Sequence, residues 1–226
     1  MGGYFDNAAT TQPYPEVVEA MTAYLREEYG NPGGHYPLGD AAREAVDRAR
    51  KIIGRAIKCE PKEVIFTSGG SESDNLAIKG VAEMYPGGHI ITTAIEHKAV
   101  LKTCAYLEKH GYKVTYLEPD ERGIITPEQV EAAIREDTFL VSVMMANNEI
   151  GTVEPIKEIA EVCHKHEGVL FHTDAVQAFG HIPVNVKDLG VDLMSVSGHK
   201  IHAPKGVGFL YCKKWIPIEP LIHGGS

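Results

Sequence analysis

Short runs of β-branched and aromatic residues alternate along this chain with longer segments of helical period, and no other feature constrains the fold as much. Such alternation is the mark of βαβ units, whose parallel strands need crossover helices and are covered on both faces. Seven runs read as strands: 64–67, 89–93, 113–117, 139–144, 169–173, 192–195 and 207–212. Helices are expected at about 14–28, 39–58, 72–84, 98–110, 127–136 and 156–167, with Pro127 and Pro155 in first turns. In 39–58 (GDAAREAVDRARKIIGRAIK), Ala42, Ala45, Val46, Ala49, Ile52, Ile53 and Ala56 trace one helical face. Residues 30–39 (GNPGGHYPLG) are so rich in Gly and Pro that they read as a loop. The expected architecture is a three-layer α/β/α sandwich around a mainly parallel seven-stranded sheet.

Composition narrows the function classes. With 226 residues, 43% of them apolar and 23% charged, the chain can bury a sizeable core and is neither disordered nor collagen-like. Twenty-two Lys and Arg against 31 Asp and Glu give a net charge of −9, with the cations dispersed, so a nucleic-acid partner is not expected. No stretch approaches the roughly 18 apolar residues of a membrane span. Residues 1–11 (MGGYFDNAATT) show no basic region followed by an apolar one, which makes the cytoplasm the expected compartment. Cys59, Cys104, Cys163 and Cys212 form no CxxC pair and read as reduced, small buried hydrophobes.

Ligands of open α/β sheets bind beyond the carboxyl ends of the strands, and four such places carry chemistry-bearing residues. Residues 67–74 (TSGGSESD) join a strand to a helix. Gly69 and Gly70 let the backbone close around an anion, and Ser71 with Asp74 has capping-box form. A phosphate could sit on that helix N-terminus, or the stretch is an ordinary glycine turn. Glu96-His97 follows the second strand; its imidazole either stacks on a planar ligand and shuttles protons or is a plain loop histidine. Asp174, with Gln177 three residues on, follows an apolar strand, where a carboxylate needs a partner unless it only caps the next helix. Residues 195–200 (SVSGHK) end in Lys200, an imine-forming nucleophile if desolvated and a surface lysine if not.

Singly each place is ambiguous; jointly they describe one ligand. A phosphate cradle, a stacking imidazole, a carboxylate for a ring nitrogen and an imine-forming lysine match pyridoxal 5′-phosphate (PLP) group for group. His164-x-His166 and His199-x-x-His202 have neither HExxH form nor assembled cysteine partners, so no metal is expected.

With those residues in view, the chain resembles the NifS/IscS group of cysteine desulfurases, in the class-V branch of fold-type I PLP enzymes. The matching stretches are 4–11 (YFDNAATT), 30–39 (GNPGGHYPLG), 66–80 (FTSGGSESDNLAIKG), 96–101 (EHKAVL), 147–152 (NNEIGT), 172–180 (HTDAVQAFG) and 195–208 (SVSGHKIHAPKGVG). The resemblance implies that Lys200 condenses with PLP and then moves protons, and that Asp174 pairs with the pyridine nitrogen. It implies that Gln177 donates to the phenolic oxygen and His97 stacks on the ring and assists acid–base steps. Gly70, Ser71, Ser197 and His199 would hold the phosphate, with Asn148 near ring and substrate. The implied substrate is L-cysteine, converted to L-alanine as its sulfur passes to an enzyme cysteine as a persulfide. A sulfur-acceptor protein and a homodimer are implied with it, serving iron–sulfur cluster or thio-cofactor synthesis. A selenocysteine lyase or another class-V enzyme would use the same pocket.

Members of that group usually run longer, with the persulfide cysteine and the arginine that binds the substrate carboxylate in their later half. Here 221–226 (LIHGGS) stands where a family HGGGQE-type segment would continue. The expected organisation is therefore a segment 1–15 that packs with a small domain, a PLP-binding large domain over 16–226, and no C-terminal small domain. None of the four cysteines matches the persulfide position, which leaves open a non-catalytic fragment or a split subunit that needs a second polypeptide.

Overall fold

A computed structural model describes residues 2–224. Met1 and the last two residues of the 221–226 stretch, Gly225 and Ser226, lie outside the described residues. The strands are β1 (Val64–Thr67), β2 (His89–Thr93), β3 (Lys113–Leu117), β4 (Thr138–Ser142), β5 (Leu170–Asp174), β6 (Leu193–Ser197) and β7 (Gly208–Cys212). They form one sheet in the order β1-β7-β6-β5-β4-β2-β3. Only β7 runs against its neighbours, so six strands point their carboxyl ends to the same edge.

Side chains alternate along each strand and split the core in two. Ile91, Val141, Met194, Val196, Phe209 and Tyr211 face one side, under α2 (Pro37–Ile57), α5 (Pro127–Ala133), α6 (Ile156–Cys163) and α7 (Val186–Leu189). Ile90, Leu140, Leu193, Leu210 and Cys212 face the other, under α3 (Gly70–Ala82) and α4 (Lys98–Lys109). Three layers result, as expected. Helix α1 (Pro15–Arg26) lies outside them and buries none of its residues.

Several local expectations are corrected. Helix α2 begins at Pro37, so the loop expected over 30–39 ends three residues early; proline at the first helical position costs no hydrogen bond. Its apolar stripe exists, yet only Ala42 of it is buried and Ile52 is 61% exposed, because the stripe faces α1 across an open groove. Pro155 is the N-cap of α6 rather than a first-turn residue, and α5 and α6 stop short of the expected 136 and 167. The capping box expected at Ser71 and Asp74 does not form. Helix α3 starts at Gly70 with Gly69 as N-cap and no side-chain cap bond, so both residues lie inside the helix. Cys59 is only half-buried. The four-residue α7, capped by Asn185, lies outside every expected helix.

Register fixes what gathers at the carboxyl edge. Thr67 of β1 and Ser197 of β6 both pair with Gly208 of β7, which sets them in one row. Asp174 of β5 pairs with Ser195 of β6, one step further along the sheet. A side chain on Gly208 would collide with the Val196 carbonyl oxygen and meet the Gly69 Cα at 2.7 Å, so glycine lets the loop before α3 lie against the strands.

Candidate active site

Beyond this edge lies a cavity of about 380 Å³. It is lined by Gly70, Ser71, His97, Asn148, Asp174, Gln177, Ser197, His199 and Lys200, so every candidate residue named from sequence reaches one space. Asp6, Ala8, Ala9, Asp74, Met144, Ala146 and Val176 complete the lining.

One end is a cradle for an anion. Gly69 adopts φ +151°, open to glycine, and turns the chain from β1 into α3. The helix's first N–H groups, uncapped by any side chain, carry its positive dipole end. A side chain on Gly70 would meet Val176 Cγ2 at 2.7 Å, which shows how tightly backbone closes here. Ser197, at the end of β6, is buried with its hydroxyl beside Gly69. The His199 ring reaches Thr10 Oγ1 through Nδ1 at 3.1 Å; burial and the neighbouring Lys200 lower its pKa, which keeps it neutral.

The opposite end is acidic. Asp174 is the last residue of β5, 4% exposed, and accepts from the Val176 N–H at 2.8 Å. Burial raises its pKa, opposed by that N–H and by His97 and Lys200. The half-buried Lys200 sits on a 3-10 turn after β6, and burial lowers its pKa against the pull of Asp6 and Asp174. Its Nζ donates to the carbonyls of Ala8 and, at 3.0 Å, Ala9. Gln177 Nε2 donates to the Ala8 carbonyl at 2.9 Å. His97 is the N-cap of α4, and its Nδ1 accepts the Ala99 N–H at 3.1 Å. The neutral ring therefore carries its proton on Nε2.

Three parts of this site have roles that sequence reasoning did not assign. The N-terminal strap is the first: Thr11 bonds the His199 carbonyl and the His202 N–H, and Tyr14 stacks on His202 at 4.2 Å. The repeated small residues of YFDNAATT are the only trace of it in the sequence. Glu96 is the second, buried, with Oε1 accepting from Met144 N–H at 2.7 Å and Thr93 Oγ1 at 3.1 Å, which ties the loop bearing His97 to the end of β4. Asp74 is the third, buried on α3. Of the histidine pairs, His164 bonds Asp192 and His166 bonds Glu131, both structural. None of the four cysteines lines the cavity, and burial pushes Cys104 and Cys163 up to about 12 and Cys59 and Cys212 up to about 11.

Comparison with known proteins decides the family. The family described as "Aminotransferase class-V" matches residues 3–226. This chain belongs to the class-V aminotransferase family. Among its curated relatives, "Cysteine desulfurase IscS" of Methanosarcina thermophila is 52% identical over 225 residues, covering 99% of this chain and 55% of the relative. "Cysteine desulfurase IscS" of Clostridium botulinum (strain Hall) is 53% identical, covering 99% of this chain and 56% of that one. The chain thus spans just over half the length of these curated relatives. Among solved structures, "SspA in complex with cysteine" superposes with TM-score 0.97 at 44% identity, covering 99% of this chain and 65% of that one. "NIFS-LIKE PROTEIN" does so with TM-score 0.97 at 46% identity, covering 100% and 62%. The class-V member's cavity fits a PLP-type group: a glycine cradle for a phosphate, a buried carboxyl for a ring nitrogen and a desolvated amine for an aldehyde.

Proposed function

We propose that this chain is the cofactor-binding part of a PLP-dependent cysteine desulfurase. The observation that carries the reading is the convergence of Lys200, Asp174, His97, Gln177 and the Gly70–Ser197 cradle on one cavity. The names of its curated relatives, and a structural neighbour solved in complex with cysteine, support the choice of substrate.

Bound PLP supplies an electron sink that stabilises negative charge on substrate carbons next to the amine. The chain's own residues do the rest. The cradle of Gly70, Ser71, Ser197 and His199 would hold the phosphate, and Asp174 would pair with the ring nitrogen. Burial keeps more of the Lys200 amine neutral, the form that would hold the cofactor's aldehyde and, as a free amine, could take up or give a proton at Nζ. His97, pinned at Nδ1, presents Nε2 as a second proton-carrying atom. Gln177 would supply a donor for the phenolic oxygen on leaving the Ala8 carbonyl, and Asn148 would lie near ring and substrate.

Cysteine desulfuration breaks the substrate carbon–sulfur bond and passes the sulfur to a thiolate, leaving alanine. None of the four cysteines lines the cavity and burial holds each as a thiol, so the accepting thiolate is another one. Residues 1–15 would face a small domain as well as the Lys200 turn. A homodimer, a sulfur-acceptor protein, iron–sulfur cluster assembly and a cytoplasmic location belong to the same proposal. Among the described residues no helix is long and apolar enough to cross a membrane.

Adding PLP to the purified chain should give the visible absorption band of a lysine-bound cofactor, and Lys200→Ala should abolish it. A parent chain that never acquires the band refutes the reading. Assaying sulfide and alanine from cysteine against selenocysteine, with and without a separately supplied C-terminal half, separates desulfurase from lyase.

A further inference from the structure

One buried carboxyl lining the cavity has no part in the roles above. Asp74, on the second turn of α3, is 1% exposed, and its Oδ1 is a buried oxygen with no hydrogen-bond partner among the described residues. Its carboxyl lies within 4.8 Å of the Asp174 carboxyl and of a ring nitrogen of the exposed His97. Below it, three strands contribute one row: Ser142 Oγ of β4 meets His172 Nδ1 at 2.8 Å, and His172 Nε2 meets Ser195 Oγ of β6 at 2.9 Å. His172 Nε2 is also 3.7 Å from Asp74 Oδ1. That histidine is completely buried, and burial pushes it down to about 3, so it offers Asp74 no positive charge.

Two carboxylates this close and this buried repel strongly in low-dielectric surroundings, which disfavours ionising both. Their surroundings choose between them. Asp174 accepts a backbone N–H and is reached by the positive charge of Lys200. Asp74 feels the acidic charges of Asp174 and Glu96 and its own deep burial, which raise its pKa well above the carboxylate range, with only the Ser195 hydroxyl opposing. A protonated Asp74 can donate to Ser195, Ser195 to His172 Nε2, and His172 Nδ1–H to Ser142, so the Asp74 proton has an acceptor within the row.

We propose that Asp74 is held as a neutral carboxylic acid and acts as a positioning residue for Asp174, so that the ring-nitrogen end of the cavity carries one negative charge and carries it on Asp174. As a statement about the cofactor, this rests on the PLP reading above. The protonation state itself is independent of it.

Two measurements on the full chain test it. Infrared difference spectra of parent minus variant, at neutral pH without PLP, should show a carboxylic-acid C=O stretch for Asp74→Asn and none for Asp174→Asn, with any stretch of the buried Glu96 cancelling in both. Titration with PLP should leave the dissociation constant of Asp74→Asn within about threefold of the parent, while Asp174→Asn weakens it about tenfold or more. Asp74→Ala should shift the pH midpoint of the visible band, and Asp74→Asn should restore it. If the parent-minus-Asp74→Asn spectrum lacks the stretch, or both asparagine variants lose PLP alike, the proposal is overturned. If that spectrum shows the stretch as expected but the parent takes up no PLP, the assignment of Asp74 stands and the cofactor reading falls. Should Asp74→Asn not fold, carbon-13 labelling of the aspartate carboxyls in the unmutated chain decides the matter, since finding every aspartate ionised at neutral pH overturns the proposal.

Discussion

Lys200 and Asp174 were legible as site residues because each sits where a strand ends, and strand ends can be read from local pattern. Asp74 and Glu96 were not, since an acid on a helix or loop normally faces water and only packing reveals that these two do not. The cysteines show the same limit. They read alike, yet Cys104, Cys163 and Cys212 are buried while Cys59 is half-exposed. Prolonged alkylation of the native chain should therefore label Cys59 ahead of the other three, slowly at mildly alkaline pH because its thiol is pushed up to about 11, as peptide mapping would detect, and equal labelling of the other three would contradict their burial. Replacing all four by Ala should leave the PLP dissociation constant within about twofold, because none touches the cavity.

At the scale of elements, strands and most helices were legible, and the errors cluster at helix ends. Ser71 and Asp74 satisfied a capping pattern, but Gly69 provides the turn and Glu72 takes up the Ser68 N–H at 2.7 Å, so the helix starts earlier than the pattern suggests. Gly208 on β7 and Gly69 form one contact across elements. Gly208→Ala should destabilise the fold by about 1–3 kcal/mol, seen in urea unfolding, and loosen PLP binding with it. A larger effect on binding than on stability would show the cradle itself was displaced. The row across β4, β5 and β6 gives a pH prediction. Unfolded, His172 takes a proton near 6.5; folded, it does not until about 3. The unfolded chain thus binds more protons in that window, and this contribution makes stability fall as pH drops from 6.5. The raised carboxyls of Asp74, Glu96 and Asp174 act in the opposite sense, their contribution falling as pH rises. His172→Asn should flatten the acid-side loss by at most about 1.4 kcal/mol per pH unit, measured by urea unfolding across the window. An unchanged slope would mean the buried imidazole is already protonated.

Over the whole molecule, the sandwich leaves one surface unlike the rest. Helix α1 buries nothing, and Tyr24, Leu25, Tyr29 and Ile52 line a groove between α1 and α2 with Leu25 76% and Tyr29 71% exposed. Soluble chains seldom leave such an apolar patch uncovered. If the proposed homodimer uses this face, sedimentation should show concentration-dependent association that Leu25→Glu with Ile52→Glu abolishes. A chain that stays monomeric at all concentrations would remove this face from the proposed dimer.

What the sequence determined by itself was the layering and the residues at strand ends, because the periods of 2 and 3.6 and the turn-forming glycines are local properties of the chain. Tertiary structure alone decided which acids are buried together, which cation each one feels and where the N-terminal strap lies. Those outcomes depend on distance and dielectric between segments up to 192 residues apart, as for Lys200 and Ala8, and no local pattern encodes either quantity.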